Sequence, residues 1–506
     1  MSCQAIAALL LSLVSLVSLV SLASPLVCSA AAADQRPHIV YINADDLGVR
    51  DVGSVEAAFR TPHIDRLAEQ GVVFANAYAP AANCAPSRAC VLSGQWTPRH
   101  GVYTVRNSDR GRAATRRLVP TPNRIFLSPE TVTLAEHLRG AGYRTIHLGK
   151  YHIGRDPLAD GFDVNVGGDE SGSPAGGYES PWETSAMAAW DGTVDHPTHR
   201  VDVFAREAAA FLREHAAADR PLFVHFAPYL VHTPLTLVPE HADGYAEAGI
   251  DPRYGSMVTK LDEAVGAVLA ALDESGLAES TLVVFSSDNG GVAAIHSQRP
   301  FRGGKGSYYD GGIREPLIVR WPARVAGGRT LDEVVGTLDL FPTLLDAAGI
   351  ALPTGESAPD GASLLPLLTG EGTWRPRPLF WHFPVYLQAY AGAKDDARDP
   401  LFRTRPGSAM RDGRWKLHEY FEDGAIELYD LAADPGERTD LAAAMPDRAA
   451  ALHRQLIAWR ERTGAPVPTE PNPKFDAAAE RRQIERASGG QPGASSSRRR
   501  ATSSRR

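Results

Sequence analysis

His38-Ile39-Val40-Tyr41-Ile42-Asn43 is a short apolar run that stops at Ala44-Asp45-Asp46-Leu47-Gly48. A run this short, rich in β-branched and aromatic residues and closed by a polar turn, reads as a strand buried on both faces. The pattern recurs. Residues 143–148 feed Gly149-Lys150-Tyr151-His152-Ile153-Gly154, residues 222–227 lead to Tyr229-Leu230-Val231-His232-Thr233-Pro234, and residues 281–285 end in Ser287-Asp288-Asn289-Gly290. Helical patterns lie between these runs. Thr61 and Pro62 read as cap and first turn of a helix with Ile64, Leu67 and Ala68 on one face and Gly71 as its stop. Thr133 and Glu136 make a capping box. Met257, Leu261, Val265, Val268 and Leu272 recur at helical spacing before Gly276. The alternation predicts an α/β fold, a mostly parallel sheet flanked by helices on both faces. In open sheets of this kind ligands bind beyond the carboxyl ends of the strands, where the polar motifs sit.

At 506 residues the chain is longer than one core usually serves, so two domains are expected. Composition shifts near 369–378, which is rich in Gly and Pro. Beyond it, residues 415–420 and 425–429 flank Glu422-Asp423-Gly424 as a hairpin, and a helix is expected over 448–460. This predicts a smaller α+β C-terminal domain with an antiparallel sheet. The expected division is a leader at 1–33, a catalytic domain at 34–372, the C-terminal domain at 373–475 and a Ser/Arg-rich tail at 476–506. From about Ala487 the tail lacks the apolar residues needed to fold and is expected to be disordered.

The formal charge of −8 argues against general nucleic-acid binding but leaves room for a locally cationic site. The stretch from Leu9 to Val27 is apolar and followed by small residues, which reads as a cleaved export signal to the periplasm or beyond. A retained membrane anchor and a lipidated Cys28 are the competing readings. Removal of the leader takes Cys3 and Cys28 with it and leaves Cys84 and Cys90, either free or paired with each other.

Two acidic motifs follow buried strands, Asp45-Asp46 and Asp288-Asn289. Converging hard oxygens favour Ca²⁺ or Mg²⁺ over Zn²⁺. Lys150 and His152 lie two apart after a strand, so alternation would turn both into one pocket. A histidine before the Thr233-Pro234 turn, His232, has the chemistry to protonate a leaving alcohol. Arg302-Gly303-Gly304-Lys305-Gly306-Ser307 would let backbone and Lys305 approach an oxyanion, without the spacing of a phosphate loop. Finally, Cys84-Ala85-Pro86-Ser87-Arg88 precedes Val91-Leu92-Ser93-Gly94.

Taken in order, these motifs resemble the type I sulfatases of the alkaline-phosphatase-like superfamily, from about His38 to Leu441. The resemblance implies that a maturation enzyme oxidises Cys84 to formylglycine, whose hydrate attacks sulfur with one hydroxyl and eliminates sulfate through the other. It implies Ca²⁺ held by Asp45, Asp46, Asp288, Asn289 and the matured Cys84. It further implies that Arg88 steadies the formylglycine, that Lys150 binds the formylglycine and a sulfate oxygen, and that Lys305 binds the sulfate. His152 would take a proton in the elimination, and His232 would act as the acid. Tyr151 departs from the family, which often has Trp there. Gly161-Phe162-Asp163-Val164-Asn165-Val166-Gly167-Gly168 resembles segments of bacterial enzymes acting on sulfated carbohydrates. The expected activity is therefore sulfate removal from a sulfated carbohydrate. A phosphoester hydrolase of the same fold and a non-catalytic glycan-binding protein are the alternatives.

Overall fold

The computed structural model describes residues 36–183, 186–390 and 396–489. The leader with Cys3 and Cys28, and the tail from residue 490, lie outside the described residues. No helix among the described residues is long and apolar enough to cross a membrane.

The main sheet has eight strands: β1 His38–Ala44, β2 Val72–Tyr78, β3 Arg144–Gly149, β4 Val164–Val166, β5 Leu222–Ala227, β6 Thr281–Ser287, β7 Leu317–Arg320 and β8 Arg329–Gly336. Their order is β4-β3-β5-β1-β6-β7-β2-β8. All neighbours are parallel except β7, which runs antiparallel to both β6 and β2. β1 is central, which explains its continuous apolar run, since both faces must be covered. The pleat divides its side chains. Val40 and Ile42 join one apolar cluster, Ile39 and Tyr41 the other.

The helices that matter are α1 Pro62–Gln70, α2 Cys84–Ser93, α3 Leu134–Gly140, α4 Arg200–His215, α5 Pro252–Glu274, α6 Leu340–Ala347, α7 Pro446–Thr463 and α8 Ala477–Gly489. Buried residues of α1, α4 and α5 pack on the Val40 face, and those of α2, α3 and α6 on the Tyr41 face. The capping box of α3 forms as read, with Thr133 accepting from the Glu136 N–H and Glu136 accepting from the Thr133 N–H. Thr61 does not cap α1. Its hydroxyl accepts from the Gly53 N–H and donates to Asp65, because a nearby loop supplies the better partner.

A second sheet comprises β9 Leu379–Phe383, β12 Gly407–Asp412, β13 Trp415–Tyr420 and β14 Ile426–Asp430, in the order β14-β13-β12-β9, antiparallel throughout. The short ribbon β10 Leu387–Gln388 and β11 Phe402–Thr404 lies between β9 and β12 in sequence. The helix α7 covers the small sheet with Leu452, Leu456 and Trp459. One expectation fails here. The tail expected from residue 476 begins instead with a helix, since 477–489 forms α8, and the expected disorder from about Ala487 starts within it. Its Glu480 is buried and meets Arg405 at 3.2 Å and Arg117 at 3.0 Å, so an ion pair anchors a segment that has few apolar residues.

The two sheets are joined by a dry charge network. Lys416 of β13 lies 2.7 Å from Asp310 and 2.9 Å from Glu437, all three without solvent exposure. Glu437 also accepts the Asp310 N–H, and the Tyr78 hydroxyl donates to Asp310. Removing one member strands buried charge. Lys416→Met is therefore expected to destabilise the protein by roughly 3–5 kcal/mol, measured as a lowered midpoint in urea, with Lys416→Arg losing less.

Candidate active site

The site is made where β1, β5 and β6 end side by side. The backbone continues the pairing past the strands: the Asp45 N–H donates to Leu230 O at 2.8 Å, Val231 N–H to Asp45 O at 2.6 Å and Asp288 N–H to Ala44 O at 3.0 Å. These bonds bring Asp45, Asp46 and Asp288 together on the sheet's edge. Asp46 holds a left-handed φ of 64°, which turns its carboxylate back beside that of Asp45.

Cys84 arrives as the first residue of α2, a helix buried along its whole length. That segment gave no helical periodicity in the sequence because apolar neighbours surround every face. Its start is marked by Asn83 in extended conformation and its end by Gly94 at φ 71°. Ligand atoms of Asp45, Asp46, Cys84 and Asp288 all lie within 4.8 Å of one another. The Cys84 Sγ stands 3.7 Å from Asp45 and 3.9 Å from Asp46. Asn289 donates from Nδ2 to Asp46 at 2.9 Å, while its buried Oδ1 has no partner.

Three cations balance the carboxylates. Lys150 Nζ sits 2.7 and 2.8 Å from the two Asp45 oxygens, and Lys305 Nζ 2.7 Å from Asp46. Arg88, one turn after Cys84 on α2, donates from Nε to Asp288 at 2.8 Å and from Nη1 to the Lys150 carbonyl at 3.0 Å. Its Nη2 is buried and unpartnered. Burial would raise Asp46, but Lys305, His232 and Lys150 overcome it and hold that carboxyl below the ordinary range. Burial pushes the Cys84 thiol up to about 12, against the opposing pull of Lys150 and Lys305. An unmodified Cys84 is therefore a neutral thiol, a weak nucleophile at neutral pH.

Lys150 and His152 do not diverge from the sheet as an alternating pair. Gly149 and His152 both have left-handed φ, 98° and 66°, so strand geometry ends at residue 149. Glycine is required there, because a Cβ would sit 2.2 Å from the Ala227 carbonyl. Lys150 consequently lies behind Asp45, fully buried, while His152 faces an open cavity. That cavity has a volume of about 840 Å³, and its floor carries Cys84, His152, His232 and Lys305. His232 is placed by its own main chain. Its Nδ1 donates to Thr233 O at 2.5 Å, and its carbonyl lies 2.6 Å from the Tyr178 hydroxyl. This leaves Nε2 toward the cavity, 3.8 Å from Asp46. Burial, then Lys305, lowers His232 to about 4, and burial, then Lys150, lowers His152 well below its ordinary value.

All the residues singled out in the sequence thus meet in one place, with Lys150 behind the wall rather than on it. Tyr151 points away and donates to Asp160 at 2.6 Å. Cys84 and Cys90 are both free thiols, and Cys90 faces His100 instead. The sequence reading missed the upper wall, where Arg106, Arg110, Arg403 and Tyr390 line the cavity. Arginines crowded at 99, 106, 110, 112, 116 and 117 were the available signal.

The donor set fits a hard divalent cation. It offers three carboxylates and an orphaned amide oxygen, the ligands that Ca²⁺ takes. A second grouping, Asp45, Cys84 and His232, carries the mixed donors that suit zinc, but it lacks the Asp288 and Asn289 oxygens.

Comparison with known proteins agrees with this geometry. Residues 37–350 match the family model described as Sulfatase, and residues 304–462 match N-sulphoglucosamine sulphohydrolase, C-terminal. The chain belongs to the sulfatase family and is a sulfuric ester hydrolase. Among its relatives, a sulfatase of Formosa agariphila is 31% identical over 88% of this chain and 93% of that protein. The steryl-sulfatase of Mus musculus is 31% identical over 85% and 81%. The N-acetylgalactosamine-6-sulfatase of Canis lupus familiaris is 30% identical over 87% and 88%. The solved structure of Ps i-CgsB in complex with k-i-k-neocarrahexaose shares the fold, with a TM-score of 0.70 and 24% identity over 90% of this chain and 98% of that one.

Proposed function

We propose that the protein is an exported hydrolase of sulfate esters on a carbohydrate, working through Ca²⁺ and a formylglycine made from Cys84 by a separate maturation enzyme. The observation that carries this reading is the Cys84 position, which joins the carboxylate cluster to the cavity floor beside Lys305 and His232. A neutral thiol there serves no chemistry that the surrounding lysines would favour, whereas a diol oxygen would meet both carboxylates and ammonium groups. Asp45, Asp46, Asp288 and Asn289 would hold the ion, which when bound supplies Lewis-acid polarisation of a sulfate oxygen. The formylglycine hydrate supplies a hydroxyl nucleophile and a route to expel sulfate without a second attack by water.

The other residues act around that centre. Lys305 reaches the cavity and holds a sulfate oxygen. Lys150 steadies position 84 and Asp45 from behind, and Arg88 braces Asp288 from within α2. His152 is neutral and buried beside the floor, which suits it to accept a proton. His232 presents Nε2 to the leaving oxygen, and a bound sulfate anion favours a proton on it, opposing burial and Lys305. The cavity wall supports a sulfated carbohydrate, since the Arg106, Arg110 and Arg403 guanidinium groups and Ser171 and Ser173 line it, although Val105, Ile125 and Phe126 give it an apolar part as well. The N-acetylgalactosamine-6-sulfatase relative points the same way.

The decisive experiment is sulfate release from a panel of sulfated mono-, oligo- and polysaccharides and an aryl sulfate, after co-expression with a formylglycine-generating enzyme. Release that falls to background in Cys84→Ala is expected. No release from any substrate, with formylglycine confirmed by peptide mass, would overturn the reading. His232→Ala should lower kcat/KM on a sugar sulfate by about 10²–10⁴-fold, and far less on a nitrophenyl sulfate, whose leaving group needs no proton. Titration calorimetry should detect one Ca²⁺ per chain, and Asp46→Asn should weaken it by at least about tenfold, because affinity follows ligand charge.

A further inference from the structure

Above the cavity floor stand three arginines with no acidic partner among the described residues. Arg403 is fixed by two carbonyls, donating from Nε to Gln388 and from Nη1 to Lys305, both at 3.0 Å, and its guanidinium stacks 3.7 Å from the Tyr390 ring centre. Arg106 sits at a left-handed φ of 61°, an uncommon conformation for a side chain this large. Asn123 braces that loop, accepting from the Tyr103 and Thr104 N–H groups and donating to the Thr104 and Arg106 carbonyls. Arg110 lies close enough to the other two that, after burial, Arg403 and then Arg106 lower its pKa. Like charges gathered in a wall repel one another, and no carboxylate among the described residues pairs with any of the three to offset that cost. Two separate parts of the chain converge to make the cluster, one at 105–110 and one that contributes Gln388, Tyr390 and Arg403. The acidic residue of the cavity wall, Glu170, belongs to the segment that carries Ser171 and Ser173, and it forms no ion pair with these arginines.

We propose that Arg106, Arg110 and Arg403 form a second oxyanion subsite, which binds another sulfate or a carboxylate on the same substrate molecule. The inference rests on the sulfate-ester reading of the floor and narrows it: the preferred substrate carries at least two anionic groups. The Arg403 bond to the Lys305 carbonyl links the two subsites, so charge in the upper one also fixes the lysine that serves the lower.

Binding tests this apart from hydrolysis. Cys84→Ala protein would be titrated with chondroitin- and carrageenan-derived oligosaccharides of equal length, bearing one sulfate, two sulfates, or one sulfate and one uronate. Affinity at least tenfold higher for the doubly anionic ligands is expected. Arg106→Gln/Arg110→Gln should lose at least ten times more affinity for those ligands than for the monosulfated one. A gain from the second sulfate alone, or from the uronate alone, would name the group the subsite reads. Equal loss on all ligands, absence of the preference, or absence of binding would overturn the subsite. In the active enzyme the same double variant should raise KM for the doubly anionic substrate more than it lowers kcat. Sulfate release without the affinity pattern sinks the subsite alone. The affinity pattern without release by matured enzyme sinks the hydrolysis reading and leaves the subsite standing.

Discussion

The constraint on which the rest depends is the burial of Asp45, Asp46 and Asp288 at adjacent strand ends. Three carboxylates this close repel, and water is excluded from all of them. Lys150, Lys305 and Arg88 restore neutrality, each within 2.8 Å of a carboxylate oxygen. Three charges against three give a protein half that is nearly balanced. A divalent ion held there would tip the site positive, which is the sign an incoming sulfate monoester requires. Lys150 and Arg88 hold the buried carboxylates together from behind, and Lys305, which also lines the cavity, is the cation placed to face the anion.

Each cation comes from a different part of the chain, and each has its own support. Arg88 rides on α2, whose buried faces fix its position relative to Cys84. Lys150 depends on the left-handed Gly149 and its contact with Ala227. Lys305 depends on the C-terminal region. Arg403 donates to its carbonyl, Thr404 donates to the Gly306 carbonyl, and the Asp310–Lys416–Glu437 network pins the chain that follows. The small sheet is therefore part of the active-site scaffold, not an appendage, and the family match at 304–462 begins within this loop.

Much of this was legible beforehand because the physics is local. Buried parallel strands need continuous apolar runs, and polar residues just after them fall at the sheet's ligand-binding edge, so Asp45, His232 and Asp288 could be placed by position alone. α2 was not legible, since a helix covered on all sides has no amphipathic stripe. The relation of Lys150 to His152 was misread as strand alternation, because Gly149 was not recognised as a left-handed break. α8 was read as tail because composition reports apolar content and not an ion pair such as Glu480 with Arg405.

The arginine wall shows a different limit. Nothing in the spacing of Arg106 and Arg110 points to Arg403, nearly three hundred residues on. Only the fold brings them to one cavity, by carrying the β10–β11 ribbon over the mouth of the main sheet. The floor of the site answers to reaction chemistry, which admits few solutions and so leaves motifs. The wall answers to substrate shape, which admits many, so its residues are scattered and surface only as charge left without a partner. That asymmetry is the reason the arginines above a balanced floor are informative: the three carboxylates of the floor each meet a cation, whereas Arg106, Arg110 and Arg403 meet no carboxylate among the described residues, which is what a subsite for an incoming anion requires.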